Sequence, residues 1–121
     1  MEAKRKVFCT FRVPGLHFWS GAFGEGKYLH APHRHIFHYR VEIGVGETDR
    51  EIEFIGFKHD LQNWVYEVYE PGPHGGDVDF EERSCEILAE ELLDYIMDIH
   101  PGRCVLVEVS EDGENGAIIR S

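Results

Sequence analysis

Basic residues, cysteines and long apolar runs are all scarce in this chain, and each scarcity removes a class of protein. Twelve Lys and Arg stand against 23 Asp and Glu, for a formal charge of −11. A nucleic-acid partner is therefore not expected, since tracking phosphates requires cations clustered on one face, and Arg34, Arg40, Arg50 and Lys58 are scattered among acids. The three cysteines, Cys9, Cys85 and Cys104, are odd in number, far apart and without a C-x-x-C pair. Neither a disulfide framework nor a thiolate metal site is indicated, so reduced thiols in a cytoplasmic protein are expected. Met1 to Lys6 is basic but leads into no apolar stretch long enough for a signal peptide or a membrane span. The 121 residues suffice for one modest core, and residues 1–121 are read as a single domain without internal repeats.

Histidine and strand alternation are what the chain has in quantity. In His33-Arg34-His35-Ile36-Phe37-His38-Tyr39-Arg40-Val41-Glu42-Ile43 the odd positions share one face of a strand, so His33 and His35 leave the sheet together, in line with Phe37, Tyr39, Val41 and Ile43. A third imidazole from a neighbouring strand makes the three-His set that holds catalytic zinc with one position open, and His17, at the end of the preceding apolar run, is the natural third ligand. The plainer reading is that these are three of eight histidines, some of them ending strands.

Val7, Cys9, Phe11 and Val13 alternate as a half-buried strand, and Pro14-Gly15 is expected to bulge or bend it before Leu16 to Trp19. Gly21, Gly24 and Gly26 surround Glu25 in a connecting loop. A second strand spans Pro32 to Val45. Phe54, Phe57, Leu61, Trp64 and Val68, three and four apart, predict an amphipathic helix over Arg50 to Tyr69 capped by Asp49. The Pro71–Gly76 segment breaks the chain, and Asp77, Asp79, Glu81 and Glu82 are expected to keep the stretch up to Ser84 solvated. Ser84 caps a second helix with Leu88, Leu92, Tyr95, Ile96 and Ile99 on its apolar face, ended by His100-Pro101-Gly102. Cys104 to Val109 reads as a third strand with Glu108 on the face opposite Val105, Val107 and Val109. The loop Glu111–Gly116 then leads into a last strand, Ala117 to Ile119. The class is α+β.

The order strand, strand, helix, helix, strand, strand, together with these residues, resembles the 6-pyruvoyl-tetrahydropterin synthase and 6-carboxy-tetrahydropterin synthase family over nearly the whole chain. A histidine closing the first strand and an H-x-H opening the second match the family's zinc ligands at His17, His33 and His35; Glu53-Phe54 resembles its first helix start, and Ser84-Cys85-Glu86 its second. The resemblance implies a T-fold: a four-stranded antiparallel sheet with two antiparallel helices on one face. It also implies Zn2+ as cofactor, Glu108 as the carboxylate that grips a pterin ring, and a homo-oligomer, trimer or hexamer, built by joining sheets edge to edge. The implied activity is a zinc-dependent lyase-type reaction on a dihydropterin side chain.

Two positions depart from the family. Its catalytic cysteine, four residues before the H-x-H, is replaced by Leu29, which cannot exchange protons; Glu25, Lys27 and His30 are the nearest polar candidates. Its Asp-His pair between the helices has only His74, near Asp77 and Asp79, as a counterpart. His74 and Glu25 are therefore the candidate proton-transfer residues. The alternative function is a non-catalytic T-fold protein that binds a pterin or purine-like ligand or serves a structural role. A cupin-like metalloprotein also uses H-x-H on a strand, but Tyr39 and Arg40 stand where its glutamate belongs, and two amphipathic helices do not suit a small barrel.

Overall fold

Alternating apolar residues along two long strands set the frame. The computed structural model describes residues 4–46, 49–72 and 76–121. In chain order these form β1 (Arg5–His17), a 3-10 helix (Gly24–His30), β2 (His33–Val45), α1 (Phe54–Val68), β3 (Glu70–Pro71), β4 (Val78–Asp79), α2 (Cys85–Ile99), β5 (Val105–Glu111) and β6 (Asn115–Arg120). The six strands make one sheet in the order β3-β4-β1-β2-β5-β6, antiparallel throughout except where β4 runs parallel to β1. The α+β class is as expected. The expected four-stranded antiparallel sheet is corrected to a six-stranded mixed one.

Phe80 explains the extra strands. Val78 and Phe80 alternate with Asp77, Asp79 and Glu81, so the acids face out while the two apolar side chains are buried, Phe80 completely. The segment expected to be solvated is thus pinned to the sheet: Val78 pairs with Gly15, and the Phe80 N–H donates to the Leu16 carbonyl at 2.8 Å. Burying a phenylalanine contributes about 1.5–3 kcal/mol, enough to outweigh the solvation preference of exposed neighbours.

Pro14-Gly15, expected to bulge or bend β1, introduces no bulge. Pairing with β2 runs without a bulge from Arg5 opposite Val45, through Pro14 opposite Ile36 and Gly15 opposite His35, to His17 opposite His33. Gly15 serves packing instead: a Cβ there would lie 2.5 Å from the Phe80 ring and 3.1 Å from Phe37. The glycine is the gap into which Phe80 fits.

Odd-numbered residues of β1, β2 and β5 face the helices. Cys9, Phe11, Val13, Phe37, Tyr39, Val41, Ile43, Val105, Val107 and Val109 form one core with Phe57, Leu61 and Val65 of α1 and Leu88, Leu92 and Ile96 of α2. Trp64 of α1 stacks on Tyr95 of α2 with centroids 5.0 Å apart, and the Tyr95 hydroxyl donates to Asp60. Helix α1 starts four residues later than expected. Glu53, not Asp49, caps it, its carboxylate accepting from the Ile55 and Gly56 N–H groups at 2.9 and 2.6 Å, while Asp49 pairs with Arg50. Those bonds hold the Glu53 carboxyl below the usual range. Ser84 caps α2 as expected, its hydroxyl accepting from the Ile87 N–H.

Gly15→Ala should destabilise the protein by about 1–3 kcal/mol, because a rigid aromatic ring blocks the added methyl group, and Phe80→Leu in the same chain should recover part of the loss. Urea unfolding of the two variants checks this; equal stability of Gly15→Ala and wild type would disprove the packing role.

Candidate metal centre and cleft

The apolar face of the sheet ends in a polar cluster. Past Val13 and Gly15, Phe37 and Val109, that face carries His17 at the end of β1, His33 and His35 at the start of β2, and Glu111 at the end of β5. Register brings them together: His17 lies opposite His33, and Glu111 opposite Phe37, one step along from His35. One ligand atom from each of the four residues lies within 4.8 Å of all the others. The three imidazole rings are mutually steep, with centroids 4.5, 5.0 and 5.4 Å apart.

Hydrogen bonds orient each ring the same way. The His17 Nδ1–H donates to the Arg83 carbonyl at 2.9 Å, the His33 Nδ1–H to the Ala31 carbonyl at 3.0 Å and the His35 Nδ1–H to Asp112 Oδ2 at 2.7 Å. Carbonyl oxygens only accept, so the proton sits on Nδ1 of His17 and His33 and Nε2 is left for a ligand; His35 meets a carboxylate at each nitrogen, Asp112 at Nδ1 and Glu111 at Nε2, and its Nε2 is open to an ion that displaces Glu111. At His17 this nitrogen is buried and has no hydrogen-bond partner among the described residues. An unpaired buried nitrogen costs about 1–3 kcal/mol, which a cation would offset. Burial, ahead of every other influence, lowers the His17 pKa and keeps the ring neutral. The three imidazoles suit a divalent ion such as zinc, with Glu111 beside them.

Glu111 completes the cluster. Its carboxylate lies 2.7 Å from His35 Nε2 and 3.8 Å from His17 Nε2. Reading the third strand as ending at Val109 leaves this residue in a loop. Extending the alternation of Val105, Val107 and Val109 by one more odd position would have placed it on the histidine face.

A cleft of about 600 Å³ opens on the cluster, with His17, His33 and Glu111 on one side and Trp19, Leu29 and the start of α2 around it. Leu29 therefore does line the cleft that opens on the histidine cluster. So does Cys85, which the sequence pattern marked only as part of a helix start. Its thiol is pushed up to about 12, by burial first and then by Glu111 and Glu86, and stays protonated at neutral pH. Ser20 is tied to Glu82 through both its hydroxyl and its N–H, which fastens the 18–30 segment along the rim.

The other expected residues do not join this site. Glu108 pairs with Arg40 across β2 and β5, on the opposite face of the sheet, and lines a separate hollow with Arg12, His38 and Arg40. Within one chain, its even position turns Glu108 away from the odd-numbered histidines. Glu25 is exposed in the first turn of the 3-10 helix and does not line the cleft. His30 is spent holding the loop by a bond to the Ala22 carbonyl. His74 lies outside the described residues. Among those residues no helix is long and apolar enough to cross a membrane.

Comparison with protein-family models and with curated proteins finds no match for this chain. The geometry of the cluster stands on its own.

The protein should bind one divalent ion per chain, raising its thermal midpoint, with reversal by a chelator; stabilisation is about 2.7 kcal/mol when the free ion is at 100 times Kd. His33→Ala and His35→Ala should each remove this response, and unchanged metal content by elemental analysis would refute the ligand set. Affinity should fall below about pH 6 as imidazoles protonate. In the metal-free protein His17 contributes in the same direction: its folded pKa lies below the ordinary 6.5, so the unfolded chain takes up a proton first and stability drops as pH falls through that value.

Proposed function

We propose that the chain is a zinc-binding protein of the 6-pyruvoyl-tetrahydropterin synthase type, built on a T-fold, that takes a pterin or purine-like ring with a polar side chain into the cleft. The observation that carries this reading is the cluster of three Nδ1-bonded histidines and one carboxylate, of which His17, His33 and Glu111 line an open cleft. The landmarks in the sequence, from the closing His17 and the H-x-H to Ser84-Cys85-Glu86, support the same family. When bound, zinc would supply Lewis-acid polarisation of a hydroxyl or carbonyl on the ligand's tail.

Glu111 takes over the role that the resemblance gave to Glu108. An ion held by the histidines replaces its contact with His35, leaving its oxygens to accept from the amino and ring N–H groups of a heterocycle, a charge-assisted bidentate contact. The tail suited to the cleft is uncharged. Glu82, Glu86 and Glu111 line the cleft, while the Arg83 guanidinium donates to Glu91 at 2.9 Å and lies over the Tyr69 ring. A hydroxylated or carbonyl-bearing side chain meets fewer like charges there than a phosphorylated one.

Chemistry is where this chain departs from the family. Leu29 lines the cleft at the position of the family's cysteine, and Cys85 is held as a neutral thiol. A second reading is favoured by this pair of observations: ring and metal binding without the cysteine-dependent turnover, in a binding or structural role. Under both readings the protein belongs in a cytoplasm, as its thiol composition suggests, and forms a homo-oligomer. Among the described residues β6 leaves one edge of the sheet unpaired, with Ile118 exposed beside it, and such an edge needs covering. Analytical ultracentrifugation at micromolar concentration should give a trimer or hexamer, and a monomer would refute edge-to-edge assembly.

Calorimetry with a pterin bearing a hydroxylated tail, such as biopterin, tests the ring site on the zinc-loaded protein. Glu111→Gln should weaken binding by about 2–4 kcal/mol, since an amide presents a donor to a donor, whereas Glu108→Gln should leave it unchanged. No binding by the wild type would sink the reading. Equal loss in both variants would remove Glu111 from its special place.

A further inference from the structure

The three candidate ligands are not held alike. His17 and His33 lean on neutral backbone carbonyls, and of the three only His35 is backed by an anion, Asp112. Asp112 opens the tight turn between β5 and β6, where Glu111 pairs with Asn115. Its φ is +57°, a left-handed backbone that L side chains seldom adopt, although Asp and Asn accept it more readily than most. Gly113 comes next at +73°. The strain is held by a clamp on β2. The Asp112 N–H donates to the Ile36 carbonyl at 2.8 Å, Oδ1 accepts from the Ile36 N–H at 2.9 Å, and Oδ2 accepts from the His35 Nδ1–H at 2.7 Å.

Turn chemistry alone does not account for this. A glycine would satisfy the backbone at +57° with no strain, and the N–H to carbonyl bond to Ile36 needs no side chain. What the carboxylate adds is a fixed charge behind one ring, with one oxygen steadied by the strand that carries that ring. Both of its oxygens act as acceptors, from the Ile36 N–H and from the His35 ring, as a carboxylate does. The residue next to it in the chain, Glu111, faces the same histidine from the Nε2 side. The hairpin therefore grips His35 at both nitrogens.

We propose that Asp112 is a positioning residue of the metal centre: it locks His35 as the Nδ1–H tautomer, aims Nε2 at the ion, and by its charge makes His35 the strongest donor of the three. The inference rests on the three-histidine metal reading and adds to it an outer partner, a carboxylate–histidine–metal chain of the kind whose loss costs about 10–100-fold in metal affinity. It also couples the metal to the β5–β6 turn, which carries Glu111 into the cleft.

The test compares Asp112→Asn, Asp112→Gly and His35→Ala in the full-length chain. Zinc affinity is measured by competition with a chromophoric chelator, the thermal midpoint is measured without metal, and the visible absorption is recorded after loading with Co2+. Asp112→Gly should keep a metal-free midpoint close to wild type, because relief of backbone strain offsets the lost side-chain bonds, yet bind zinc about 10–100-fold more weakly. Asp112→Asn keeps the turn and one acceptor but not the charge, so its affinity should fall between the two and its Co2+ bands should shift. A purely structural residue would lower the midpoint and leave the Co2+ spectrum alone. If both Asp112 variants bind zinc within about twofold of wild type, well short of the loss expected for an outer carboxylate, while His35→Ala loses it, Asp112 is only a turn residue and the inference is overturned. If His35→Ala also keeps its zinc, the metal reading falls, and this inference with it.

Discussion

Everything at the candidate site depends on the unbroken antiparallel register of β1 and β2. It runs from Arg5 opposite Val45 to His17 opposite His33 without a bulge. Because side chains alternate, a slip of one residue would turn the core face and the histidines outward together. The buried row Phe11, Val13, Phe37, Tyr39, Val41 and Ile43 therefore does more than stabilise the sheet. Its apolar burial holds the register that delivers the imidazoles to one place. The candidate metal centre is the polar end of the hydrophobic core.

That position sets the electrostatics. His17 sits where the core gives way to solvent, buried enough to stay neutral and too buried for water to satisfy its Nε2. His33 and His35 are half-buried, and His33 lines the cleft. A cation there would give the buried, unpaired His17 Nε2 a partner. The carboxylate of Glu111, beside two of the rings, accounts for part of the local negative charge. The same charge, after burial, helps hold Cys85 protonated in the ion-free protein.

Phe80 and Gly15 brace the centre from below. Phe80 fills the notch at Gly15 and meets the edges of Phe37 and Tyr69, at centroid distances of 4.9 and 5.0 Å. Phe37 in turn meets the edges of His17 and His35. A continuous aromatic stack thus connects the strand β4, the core and two candidate ligands. Rings packed edge to face resist rotation, and rigidity beneath the histidines limits how far their donors drift from a common centre.

Much of this was legible in the residues themselves. Period-two alternation is local physics, so the two long strands, the shared face of His33 and His35, and His17 as their companion followed from the sequence, as did both amphipathic helices and the Ser84 cap. What the sequence alone did not determine was every feature that depends on where a strand stops or what lies beneath it. Glu111 and Asp112 looked like a loop because their composition is that of a loop; only pairing with β2 carries β5 two residues further and folds the turn onto Ile36 and His35. Phe80 looked solvated among its acidic neighbours, and the notch that receives it exists only once Gly15 stands in the sheet. Glu108 was read as the site's carboxylate although its even position already turned it away from the histidines. Alternation along one strand decides which residues share a face, but which strand ends meet is decided by the packing of the whole sheet.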